Sequence, residues 1–312
     1  MDAILAGITG FLAQMVDGAL GMGYGITSAS LLLATGAAPA VVSASVNFAQ
    51  LGTTLASGAS HWRAGNVDRR FVPRLAIPGG IGALTGATVL SALSTSAARP
   101  VMSLLLVTLG TVVLIRFLTR RIGAPEGTTP APRSRVLGPL GLVGGFVSAT
   151  GGGGWGPVVT STLLSTGRTA PRTVIGSVSA SEFVVTVCAS VGFLLGLGLG
   201  GFPILLIAAL MLGGVLAAPI AARLAGRLPA RILGIAVGGL IITLNISPAL
   251  SALGAGSTLT LVVQAVVSAT LLGLLAVAVV RHRRQGGRTH VEVPLEDTVR
   301  AEDADGPVPA KA

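Results

Sequence analysis

Charge is scarce in this sequence. Charged residues make up 10% of it and hydrophobic ones 51%, whereas soluble domains carry roughly 25% charged residues. So few charges cannot clothe an ordinary water-facing surface. One cysteine, Cys188, excludes an intramolecular disulfide and leaves the redox compartment unread. It sits in an apolar run, where a thiol serves as a small hydrophobe. Of the histidines, His282 and His290 follow the last apolar run and His61 stands at the end of another. No metal cluster and no serine–histidine constellation can be assembled from them, so neither a metal, a cofactor nor an enzyme is expected. A G-x-x-x-x-G-K phosphate loop is also missing. Aromatics amount to 4%, and Lys311 is the one lysine. The net charge of +10 is therefore not a nucleic-acid footprint: its arginines flank apolar runs, as the positive-inside rule has them.

What is present is apolar sequence in long stretches. Segments run at 4–20, 26–35, 41–60, 71–93, 100–118, 136–150, 157–166, 173–195, 203–222, 231–248 and 258–280. Crossing the hydrocarbon core takes about 20 such residues in a helix. The composition predicts an all-α, polytopic transmembrane helical bundle in the lipid bilayer of the plasma membrane. The first run, Ala3 to Leu20, has no basic start and reads as part of the mature protein rather than a signal peptide. Segments 26–35 and 157–166 are too short to span, and each follows a glycine cluster. These are Gly18-Ala-Leu-Gly21-Met-Gly23-Tyr24-Gly25 and Gly151-Gly152-Gly153-Gly154-Trp155-Gly156-Pro157. We read 4–35 and 136–166 as two broken, re-entrant hairpins.

The chain repeats. An offset of 131 carries Gly21, Gly23, Tyr24 and Gly25 onto Gly152, Gly154, Trp155 and Gly156; an offset of 132 carries Gln50 onto Glu182 and Ala98-Arg99 onto Ala230-Arg231. The expected organisation is a first membrane repeat (1–120), a cytoplasmic linker (121–135), a second repeat (136–256), an extra transmembrane helix (257–280) and a disordered cytoplasmic tail (281–312). Arginine placement puts the connections around 63–74, 116–135, 168–172, 223–231 and 281–288 in the cytoplasm and those near 36–40, 197–202 and 249–257 outside, with Arg99 as the exception. The crossings close if each broken unit enters and leaves on the same side, and the two repeats are then inverted, an arrangement common to secondary transporters.

The glycine clusters, the stretch His61-Trp-Arg-Ala-Gly65-Asn-Val67-Asp68 and the repeat order resemble the TauE/SafE family of membrane transporters, over nearly the whole chain to Val280. The second cluster fits the family pattern; the first lacks three consecutive glycines and a following proline. The resemblance implies movement of small sulfur-containing anions such as sulfite or sulfonates.

The residues themselves suggest how an anion is held. Glycines bare their amide N–H groups, and a helix starting after a break points its positive end at the break. Two such ends from opposed hairpins make an anion site without a charged side chain. Candidate substrate contacts are Gly21, Gly23, Tyr24, Gly25, Thr27, Asn47, Gln50, Gly152, Gly153, Gly154, Trp155, Gly156 and Ser179. The competing reading is that the glycines merely allow close helix packing. Glu182 lies inside an apolar run, where a carboxylate costs several kcal/mol. It either couples protons or is a structural acid. Asp17, before the first break, either caps amides there or takes part in coupling. A passive anion channel of the same fold is the alternative to a carrier.

Overall fold

The computed structural model describes residues 3–20, 22–119, 134–165, 169–198, 200, 202–224 and 229–286. Gly21, the linker at 120–133 and the residues from 287 onward lie outside the described set. Among the described residues the regular structure is entirely helical. The helices are α1 (Ala3–Leu20), α2 (Tyr24–Ala34), α3 (Pro39–Arg63), α4 (Phe71–Ala92), α5 (Thr95–Thr119), α6 (Ser134–Gly151), α7 (Ser161–Ser165), α8 (Pro171–Leu197), α9 (Ile204–Leu224), α10 (Ala230–Ala252) and α11 (Ser257–Gly286). A π-helical turn, Gly156–Thr160, leads directly into α7, so 155–165 is one continuous helical run.

Six of these helices are long and apolar enough to cross a membrane. Large side chains on their outer faces, such as Leu195 (72% exposed) and Ile204 (75% exposed), stand well clear of the protein interior, as lipid-facing residues do. Helix α3 is not among the six although its 25 residues extend about 37 Å at 1.5 Å per residue. Ser43, Asn47, Gln50, Thr54, Ser57 and His61 interrupt its apolar character at helical spacing, which makes one polar stripe. Helix α11 continues to Gly286, past the expected limit of 280. Arg281, Arg283 and Arg284 therefore ride on a helix; arginine is a good helix former, and no proline interrupts this stretch.

The two halves are interlocked. Helix α1 packs against α9 and α6 against α4; α3 packs against α8 and α5 against α10. One apolar core gathers Ala6, Ile26, Leu32, Val46, Leu106, Leu210 and Ile241. The other gathers Leu75, Ala83, Leu137, Trp155, Leu163, Val185 and Phe193. Each core thus draws on both halves of the chain, and Val158 borders both.

Water-driven burial does not hold helices together in lipid, so close approach of backbones matters more. A Cβ at Gly145 would land on the Gly79 carbonyl of α4, and one at Gly213 on the Gly7 carbonyl of α1. Replacing Gly145 with valine is expected to destabilise the protein by at least about 1–3 kcal/mol, the usual cost of overpacking. Gly138→Val, whose Cβ meets nothing within 4 Å, should be neutral. Melting of the two purified variants in detergent checks the contrast, and equal melting temperatures would refute it.

Candidate functional site

The first helix break lies between Leu20 and Tyr24, the second between Gly151 and Trp155. Gly23 (φ +128°) closes the first, and Gly152 (φ +73°) and Gly153 (φ +139°) form the second. These are left-handed conformations that glycine adopts without steric cost. The breaks touch. A Cβ at Gly25 would lie 2.5 Å from the Gly153 Cα and 2.7 Å from the Gly152 oxygen. Only two glycines permit that approach.

A cavity of about 570 Å³ begins where the breaks meet. Met22, Gly23, Tyr24 and Gly25 line it from the first break, and Gly153, Gly156, Pro157 and Thr160 from the second. Its walls are the ends of α1 (Gln14, Asp17), the C-terminal half of α3 (Gln50 to His61), the N-terminal half of α8 (Ile175, Ser179, Glu182) and part of α9. Helix α3 shows which way it opens. Residues 42–47 are buried, Gln50 and Thr54 are buried, and Ala56, Ser57 and Ser60 are exposed. The cavity therefore widens toward the end of α3 that carries His61 and Arg63.

The opposite end is closed by packing and hydrogen bonds. The Ser43 hydroxyl donates to the Ala149 carbonyl, and Asn245 Nδ2 donates to Ser30 Oγ at 2.9 Å. Space for a Cβ at Gly152 is filled by Ala29 (2.7 Å) and Met102 (3.2 Å). Arg99, the arginine that departs from the topology rule, donates Nη2 to the carbonyls of Gly36 (2.7 Å) and Ala37 (3.2 Å). It is held by helix-end carbonyls there, which suit a cation.

The polar side chains divide by environment. Asp17 Oδ1 accepts the Tyr24 amide at 3.2 Å, so one of the amides freed by the break is already used. Glu182 faces the cavity half-buried, and no hydrogen bond or ion pair engages its carboxylate among the described residues. Gln50, its counterpart on α3, stands beside the first break: its Oε1 would be 3.4 Å from a Cβ at Gly25. The lining includes no arginine or lysine among the described residues.

Of the residues singled out from sequence, Gly23, Tyr24, Gly25, Gln50, Gly153, Gly156, Ser179, Glu182 and Asp17 come together around this cavity. Others lie off its wall. Asn47 is buried and turns its Nδ2 to the Ser43 carbonyl at 2.9 Å. Trp155 is fully buried, its indole N–H donating to the Val178 carbonyl at 3.2 Å. Tyr24 combines both situations, lining the cavity while its hydroxyl donates to the Leu210 carbonyl at 3.2 Å. Thr27 is buried with an unpartnered hydroxyl, and Gly152 and Gly154 sit behind the lining. Gly21 is outside the described residues.

Residues passed over in the sequence include Gln14, Thr53, Thr54 and Ser57. The polar stripe of α3 was the signal for most of them. Arg116 had no such signal. Its Nη1 donates to Ser161 Oγ at 2.6 Å and to Met22 Sδ at 3.0 Å, tying α5 to both breaks. The same serine position in the first half, Ser30, is held by Asn245 of α10.

Comparison with known proteins identifies the family. Residues 6–248 match the family model described as "Sulfite exporter TauE/SafE", a span that ends before α11. The chain is 49% identical over 243 residues, 78% of its own length and 81% of the relative's, to "Probable membrane transporter protein YtnM" of Bacillus subtilis (strain 168). No solved structure matches. The match from α1 to α10 and the 49% identity to a membrane transporter place this all-helical, multi-pass chain in the TauE/SafE family of membrane transporters.

Proposed function

We propose that the protein is a secondary transporter of small sulfur-containing anions, sulfite or an organosulfonate, across the plasma membrane, coupled to protons. The observation that carries this reading is the contact of Gly25 with Gly153 at the floor of the cavity. Helix α2 and the run 155–165 both start there, so their positive ends, with the amides that Asp17 does not take, converge on one place. Hydroxyls of Thr160 and Ser179 on the wall add donors.

The pairing of α1 with α9 and of α6 with α4 supports two inverted repeats exchanging helices. With the arginine-rich ends in the cytoplasm, the cavity opens inward and the outer end is sealed. A cavity open at one end and shut at the other favours alternating access over a continuous channel. Two carboxylates, with no arginine or lysine among the described residues of the lining, repel an anion unless positive charge comes with it. Protons on Asp17 and Glu182 are the coupling this lining supports.

The test is uptake into proteoliposomes with sulfite, thiosulfate, sulfonates, sulfate and carboxylates as candidates. Uptake of at least one sulfur oxyanion should saturate and should quicken when protons are supplied on the anion's side. Asp17→Asn should weaken that dependence. Flux that neither saturates nor responds to a proton gradient would identify a passive pore instead. The same compounds should raise the melting temperature of the purified protein in proportion to their affinity.

A further inference from the structure

The lining mixes donors and acceptors. The helix starts at the floor supply backbone amides beside the Gly152 carbonyl and Gln50 Oε1, and the walls carry hydroxyls and a carboxylate. The Glu182 carboxylate faces the cavity with no partner, and Gln14 lines the same cavity with its buried Oε1 unpartnered among the described residues. Asp17 is half-used by the Tyr24 amide. A cavity of about 570 Å³ falls in the range of roughly 300–1,000 Å³ that encloses organic molecules, and a bare oxyanion leaves most of it to water.

From this juxtaposition we infer that the substrate is a zwitterion: a small aminosulfonate or amino-acid-like molecule whose anionic group rests on the two glycine breaks and whose ammonium meets Glu182. The inference rests on the anion-site reading above and narrows its substrate class. An ammonium has three donors and no acceptor, which suits the Glu182 carboxylate. A charged donor meeting a carboxylate makes a stronger hydrogen bond than a neutral pair. The substrate then brings its own compensating charge to Glu182, and Asp17 is left as the group that takes a proton. A carboxylate left bare in a membrane-embedded cavity is costly; the ammonium removes that cost while the substrate is bound.

The experiment compares 2-aminoethanesulfonate, ethanesulfonate, 2-hydroxyethanesulfonate and ethylamine as ligands of the purified full-length protein, by calorimetry and by thermal shift. The zwitterion should bind at least about tenfold more tightly than either sulfonate lacking the amine, a difference of about 1.4 kcal/mol. Ethylamine alone should bind weakly. In Glu182→Gln the ratio between 2-aminoethanesulfonate and ethanesulfonate should fall to about one, and Glu182→Asp should restore part of it. Equal binding of ethanesulfonate and the zwitterion to the unmodified protein would overturn the zwitterion while leaving the anion site standing. So would a preference that survives Glu182→Gln. If no sulfonate or other anion binds at all, the anion-site reading falls, and the zwitterion with it.

Discussion

Gly25→Ala is expected to abolish transport while the protein still inserts in the membrane. The added methyl would lie 2.5 Å from the Gly153 Cα, 2.7 Å from the Gly152 oxygen and 3.4 Å from Gln50 Oε1. Two of these are backbone atoms of a tight turn, which cannot step aside as a flexible side chain can. The breaks must part by something near an ångström. A binding constellation displaced by that much loses on the order of a hundredfold in rate. Gly153→Ala should do the same for two reasons: its φ of +139° disfavours a side chain, and its Cβ would press into Gly25. Gly138→Ala serves as the control. Vesicle uptake, read beside the amount of protein in the membrane, checks the result. Normal uptake in Gly25→Ala would remove the meeting of the breaks from any role in the mechanism.

The second large effect concerns stability. Trp155 is fully buried, and Gly79 and Gly144 make room for its ring: a Cβ at Gly79 would lie 2.6 Å from the ring's Cη2 atom. Trp155→Ala should cost about 3–5 kcal/mol, the usual loss for a large aromatic cut from a core, and leaves the Val178 carbonyl without its donor. Trp155→Phe should cost less, because it keeps most of the volume and forfeits mainly the hydrogen bond, about 0.5–1.5 kcal/mol. Melting in detergent orders the three proteins. If Trp155→Ala melts with the unmodified chain, the ring is not the support described here.

Much of this was legible beforehand because lipid leaves so few options. Backbone polar groups must be satisfied within helices, so apolar runs between arginines mark helices directly. The interruptions at 22–23 and 152–154 were visible as glycine clusters, each followed by a segment too short to span. The match of Gln50 with Glu182 followed from the repeat, and both line the cavity. Direction was harder. Asn47 shares the polar stripe of α3, yet its amide finds the Ser43 carbonyl one turn back, a local acceptor that competes with any cavity. Trp155 aligns with Tyr24, but its larger ring is drawn wholly into the core, and its N–H has a carbonyl there. Arg116 was read as the edge of a loop. Its reach to Met22 and Ser161 joins residues far apart in sequence, and no periodicity announces such a bond.

The exchange of partners between the halves also bears on biosynthesis. Helix α1 leaves the ribosome long before α9, the helix whose surface it fits. Until then its glycine face waits in the bilayer against lipid or a provisional neighbour. The N-terminal half released on its own would therefore hold an unmatched α1, and assembly is a late event that closes both bundles together.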